Sequence, residues 1–285
     1  MKLIRWGNPE DEKPGVILEN NRFDLSDFFK DWDRVFFNND GLKKLNQVLK
    51  DQAGKLKKVE EGERWASCVA RPGKVLCIGL NYSDHAKESG MAIPTEPILF
   101  QKGSNTVVGP YDPVIIPKNS LKTDWEVELG IIIGKDVRYL GSEEESQFYV
   151  AGFCISHDVS ERAFQLEHGG QWTKGKSCDN FNPIGPWMAT TDLIDDVNNL
   201  EMTLHVNGDK MQDGNTSTMI FKWDFLVFYL SQFMTLEAGD LITTGTPPGV
   251  GMGKKPPKYL RAGDIVELSI EKLGKQRQVC IDAIY

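Results

Sequence analysis

Short runs of Val, Ile, Leu and Thr, separated by Gly, Asn, Asp and Pro, recur along most of this 285-residue chain. LIRW and GVILENNRFDLS near the start read as strands around a turn at Asn20-Asn21. KVLCIGLNY, VELGIIIG, YVAGFCISHDVS, LEMTLHVNG, DLITTGT and DIVELSI read as further strands, several of them apolar enough to be buried on both faces. Helical spacing is rarer. In GLKKLNQVLKDQ the apolar positions Leu42, Leu45, Val48 and Leu49 fall on one helical face, and SDHAKESG, SERAFQLEHG and KWDFLVFYLSQFM are the other helical candidates. Strands dominate and do not alternate with helices in a βαβ rhythm. The pattern predicts an α+β, mostly β fold of mixed, largely antiparallel sheets rather than a doubly wound one.

The texture changes near Arg71-Pro72-Gly73, after the charged stretch KLKKVEEGER. This predicts a small N-terminal α/β module over residues 1–71 and a larger domain over 72–285. A chain of this length can bury a sizeable core without disulfides or structural metals.

Charge and cysteine usage narrow the partners. Asp and Glu total 41 against 33 Lys and Arg, for a net charge of −8 spread along the chain. Nucleic acid, which needs clustered cations, is not an expected partner. The longest apolar run, Phe225 to Leu230, is far too short to span a bilayer, and an acidic continuation follows MKLIRW where a signal peptide would be apolar. The expected location is therefore cytoplasmic. The five cysteines, at 68, 77, 154, 178 and 280, are odd in number and form no CxxC pair; they read as reduced and mostly buried.

Four segments carry candidate chemistry. In DWEVELG, a strand places Glu126 and Glu128 on one face beside a strongly apolar run, which is costly unless a cation binds them; an exposed polar strand face is the alternative. Asp158 follows the buried strand of YVAGFCISHD, where it could complete a three-carboxylate set suited to Mg²⁺ or Mn²⁺ rather than zinc. His85 and Glu88 sit three apart on a short helix, as a general base and its orienting carboxylate, or as ordinary surface residues. The Gly-rich TTGTPPGVG stretch could donate backbone N–H groups to an anion, or be a structural turn. It matches neither a P-loop nor a GxGxxG fingerprint.

Together and in this order, GLNYSDHAKE, EPILFQKG, DWEVELGIIIG, HDVSERAFQ, KGKSCDNFNPIGPW, GNTSTMIF and LITTGTPPGVG resemble the fumarylacetoacetate hydrolase superfamily from about Lys74 to the C-terminus. The resemblance implies that family's mixed β-roll or sandwich domain and a homodimer; the apolar stretches GPWMATT and WDFLVFYL read equally as its interface or as core. It implies one Mg²⁺ or Mn²⁺ per chain on Glu126, Glu128 and Asp158, a catalytic set of His85, Glu88 and Lys176, and substrate contacts from Gln165 and Thr246. His157 stands where many relatives carry Asn, and is given no role. The implied reaction is hydrolytic C–C cleavage of an acylpyruvate to pyruvate and a second acid. The branch resembled acts on 2,4-diketo-3-deoxy fuconate or rhamnonate, which would yield lactate. Decarboxylation of oxaloacetate and diketo-acid isomerisation share the same metal site, and a non-catalytic metal- or ligand-binding module is the reading from another class.

Overall fold

The computed structural model of the chain describes residues 1–84 and 92–284. Among these residues eleven strands form one sheet and five form a second, with a short two-stranded ladder beside them. The fold is mostly β with few helices, as the apolar pattern predicts.

The strands Val127–Ile133 and Val150–His157 are buried at every position. They pair antiparallel at the centre of the large sheet, so both faces are covered by protein. Leu241–Thr243 lies along the other side of Val127–Ile133 and pairs parallel with Val75–Gly79, whose outer neighbour is Ile98–Lys102. Glu201–Val206, Asp209–Asn215, Ile265–Ile270 and Gly274–Asp282 build the second sheet with Val114–Ile116 at its edge. Ile131, Ile133, Phe153 and Ile155 of the first sheet share one apolar core with Met202, Leu204, Val266 and Leu268 of the second.

In the N-terminal segment, Lys2–Trp6, Lys13–Leu18 and Asn21–Asp24 form an antiparallel meander. The hairpin turn falls on Glu19 and Asn20, one residue earlier than the Asn pair predicts. Both have positive φ, 47° and 66°, and form the two-residue connection between the paired Leu18 and Asn21. This is the φ pattern of the primed turns that match strand twist. The helix Gly41–Gln52 covers the stretch its spacing predicts.

The meander also joins the large sheet. Lys2 and Leu3 pair with Ala189 and Met188 of the strand Asn182–Thr190. Leu3, Val16 and Leu45 share a core with Ile132, Cys154 and Ile184. Residues 1–71 are thus built into the sheet of the remainder.

Candidate metal centre

Backbone register brings the acids together. Val127 pairs with His157 and Glu128 with Ser156. One step further, the Asp158 N–H donates to the Glu126 carbonyl at 3.0 Å, which sets Asp158 across from Glu126. Strand alternation puts Glu128 on the same face as Glu126. All three carboxylates are buried, and one oxygen from each lies within 4.8 Å of the others.

Cations surround two of the three acids. The Lys176 Nζ donates to Glu126 Oε2 at 3.0 Å and to Asp158 Oδ2 at 2.7 Å. The Lys102 Nζ donates to Asp158 Oδ1, and to the Val159 carbonyl at 3.0 Å. Arg162 gives Nη2 to Glu126 Oε1 at 2.6 Å and Nε to Asp124 Oδ2 at 2.9 Å. Asp124 is held in turn by the backbone N–H groups of Gly251 and Met252, at 2.6 and 3.0 Å. Among the described residues Glu128 has no cation of its own, and its Oε2 accepts only the Gly245 N–H, at 2.9 Å.

The titration behaviour follows from these partners. Burial would raise Glu126, but Lys176 and Arg162 overrule it and hold the carboxyl well below the usual range. Burial, together with the negative charges of Asp158 and Glu126, pushes Glu128 well above it. Burial would lower Lys176, yet Asp158 and Glu126 more than compensate and keep it firmly protonated. Among the described residues four carboxylates and three cations share the site, one negative charge in excess when all are ionised. A divalent ion on Glu126, Glu128 and Asp158 would turn that excess into one net positive charge. The donor set is three hard oxygens, one of them on a carboxylate with no counter-ion among the described residues, and it fits Mg²⁺ or Mn²⁺.

Local sequence explains the geometry around the acids. Gly245 has φ +89°, and a Cβ there would meet Asn81 Cβ at 2.9 Å, so the turn needs glycine to bring its N–H to Glu128. Asn81 locks the opposite loop. Its amide donates to the carbonyls of Phe221 and Thr244, at 2.9 and 2.8 Å, and its Oδ1 accepts the Phe221 N–H at 2.8 Å. Leu80 beside it is thereby held at φ 52°. Gly175 lets the helical turn Thr173–Lys176 pack onto Arg162–Leu166, since a Cβ would fall 2.4 Å from the Glu161 carbonyl. That close packing delivers Lys176 to the carboxylates.

A cavity of about 170 Å³ opens above this floor, lined by Glu126, Glu128, Arg162, Gln165, Lys176 and Thr246 among others. The Gln165 Oε1 accepts from Arg162 Nη1 at 3.1 Å, which turns its amide NH₂ into a donor. The Thr246 hydroxyl donates to the Val127 carbonyl at 2.9 Å and accepts from Gln212 at 2.8 Å, so its side chain also braces the metal-site strand. His85 and Glu88 lie outside the described residues.

Three residues at this site escape a motif-by-motif reading. Lys102 and Arg162 are ordinary surface residue types by composition, and Asp124 looks like one more acid in DWEVE. The one available signal is position: each falls inside a segment that already carries chemistry, FQKG, SERAFQ or DWE. His157 faces away from the acids. Its Nδ1 lies 3.1 Å from Gln278 Oε1. Gln278 spends its amide N–H groups on the Pro110 carbonyl and Gln276 Oε1, at 2.5 and 3.0 Å, so its oxygen accepts and His157 Nδ1 donates. Burial drives the His157 pKa down to about 3, and the ring is neutral.

Comparison with known proteins agrees with this geometry. A hydrolase-named protein of Burkholderia multivorans is 49% identical over 284 residues, covering 98% of each chain. Fumarylacetoacetate hydrolase from psychrophilic Exiguobacterium antarcticum has the same fold, with a TM-score of 0.87 and 33% identity over 99% of this chain and all of that one. A 2-hydroxyhepta-2,4-diene-1,7-dioate isomerase from Mycobacterium marinum matches at 0.76 and 28% over the whole of both chains. Maleylpyruvate hydrolase from Sphingobium sp. SYK-6, solved with a manganese(II) ion and pyruvate, matches at 0.83 and 25%, again over the whole of both. The family model for the C-terminal part of fumarylacetoacetate hydrolase matches residues 74–280, and with it this chain belongs to the fumarylacetoacetate hydrolase family.

Proposed function

We propose that this enzyme hydrolyses an acylpyruvate, R–CO–CH₂–CO–COO⁻, to pyruvate and a carboxylic acid, with Mg²⁺ or Mn²⁺ on Glu126, Glu128 and Asp158. The supporting observation is the floor of three buried, converging carboxylates, whose negative charge a divalent ion would offset, with Lys176 and Arg162 beside it, to favour an anionic substrate. A family relative crystallised with manganese and pyruvate supports the same reading.

The ion would supply Lewis-acid polarisation of the 2-oxo acid end. The protein's own groups do the rest. Gln165, oriented by Arg162, presents its amide donors to the carboxylate end of the substrate. Lys176, protonated and fixed by two ion pairs, places positive charge where the leaving group becomes anionic. His85, oriented by Glu88, takes a proton from the attacking water. Water adds at C4 and the C3–C4 bond breaks. The electron pair leaves with pyruvate as its enolate, and C3 takes up a proton. Thr246 positions the substrate chiefly through the turn it braces.

Oxaloacetate decarboxylation and isomerisation would use the same floor, and product analysis separates the three. Hydrolysis yields pyruvate and a second acid, decarboxylation yields CO₂, and isomerisation preserves mass. The deciding experiment incubates the metal-loaded protein with a panel of acylpyruvates, with and without chelator, and detects pyruvate. Metal-dependent release supports the proposal; no release from any member, or full release in excess chelator, overturns it. A metal- or ligand-binding module without catalysis would bind Mn²⁺ and release nothing.

A homodimer is part of the proposal. Leu226, Val227 and Leu230 of the helix Trp223–Ser231 are buried, while Phe221, Phe225, Tyr229 and Phe233 stack along its outer side. Sedimentation equilibrium tests it, a monomer at micromolar concentration being the contrary result.

A further inference from the structure

The cavity above the carboxylates has a charged floor and an apolar wall, and the wall is fixed in place. The Trp172 ring lies against the bare backbone of Gly79, where a Cβ would fall 2.7 Å from Cζ3 and 3.0 Å from Cη2. Phe100 packs edge-on against the same ring, with centroids 5.2 Å apart and planes at 64°. Phe100 is tied to the floor in turn, with the Lys176 ammonium 5.1 Å from its ring centroid. Leu80, Leu166 and Met252 complete the wall. Among the described lining residues, the only cations are Arg162 and Lys176, and both are committed to carboxylates.

Resting on the acylpyruvate reading, we infer that Trp172 is the specificity-determining residue and that it selects substrates whose acyl group is uncharged and apolar, alkyl or aryl. The 2-oxo acid end occupies the charged floor, and the substituent R lies along Trp172 and Phe100. A second carboxylate on R would be desolvated against ring faces, and neither cation among the described lining residues is free to meet it. Aromatic and alkyl groups gain the burial and ring contacts that such a wall offers. A single hydroxyl on R, as in the fuconate-derived chain, is discriminated only weakly, because an apolar wall does not strongly reject an added OH.

The test is calorimetric binding to the Mn²⁺-loaded protein of 2-oxo acids that lack the scissile 4-keto group. 2-Oxo-4-phenylbutanoate should bind at least about tenfold more tightly than 2-oxoadipate. Trp172→Ala should remove most of that preference and Trp172→Phe should retain most of it. Gly79→Ala, which drives the ring into the cavity, should weaken 2-oxo-4-phenylbutanoate while sparing 2-oxobutanoate. Equal or tighter binding of 2-oxoadipate, an unchanged ratio in Trp172→Ala, or no binding of either ligand would overturn the inference. The preference is read without turnover. A protein that shows it yet releases no pyruvate from any acylpyruvate would refute the hydrolase reading and leave the role of Trp172 standing.

Discussion

Asp158 and Lys102 form an ion pair in which neither side chain is exposed to solvent. Asp158 is also paired with Lys176, so one carboxylate contacts two buried ammonium groups. Glu128, within ligand distance of Asp158, has no ion pair among the described residues. The acids of the centre therefore differ in what the protein loses when each is neutralised.

Asp158→Asn should lose divalent-ion binding and also destabilise the metal-free protein, by about 3–5 kcal/mol, because the buried Lys102 loses its carboxylate and Lys176 keeps only Glu126. Glu128→Gln should lose metal binding too, yet leave the metal-free protein as stable as the parent or more so. It removes an uncompensated charge and keeps an acceptor for the Gly245 N–H. Mn²⁺ titration and metal-free thermal unfolding read the two effects separately. Equal unfolding temperatures for the two variants would contradict this charge assignment.

Gly245→Ala should cost roughly 1–3 kcal/mol, since it forces a side chain into the left-handed region and against Asn81. It should also weaken metal binding, because among the described residues the Gly245 N–H is the one hydrogen-bond donor on Glu128. Chemical denaturation with and without Mn²⁺ measures both; a variant of parental stability would show that the turn tolerates the change.

His157 gives stability a pH dependence. Its pKa is about 3 in the folded chain against an ordinary 6.5. Between these values the unfolded chain binds a proton that the folded one does not, so stability falls as pH drops below 6.5. The contribution is on the order of 1.4 kcal/mol per pH unit, fully retained above 6.5. His157→Asn should flatten the difference between pH 6.5 and 4.5 by comparison with the parent. Parallel stability curves for the two proteins would refute a neutral buried imidazole.

Deletion of residues 1–71 should yield insoluble protein rather than a free catalytic domain. It uncovers the edge of Asn182–Thr190 and half of an apolar core. A soluble, cooperatively folded 72–285 fragment would establish the two units as independent.

The sequence by itself determined the mostly β architecture, the buried central strands and the pair Glu126 and Glu128, because alternation along one strand is a local property with a fixed period of two. It placed Asp158 at a strand end but could not bring it to Glu126, since the register between Val127–Ile133 and Val150–His157 is set by packing and not by either segment alone. Lys102, Arg162 and Asp124 were invisible as chemistry for the same reason. A lysine or arginine announces nothing locally, and only the folded chain buries it beside an acid. The turn at Glu19 and Asn20 differed from the Asn20-Asn21 expectation because cross-strand pairing, rather than residue preference, fixes where a hairpin reverses. The N-terminal segment read as separate because composition changes at residue 71, whereas hydrogen bonding across a sheet takes no account of composition. Tertiary structure also decided the apolar wall. Trp172 meets Gly79 and Phe100 from distant parts of the chain, and nothing in the local pattern of any of the three specifies that contact.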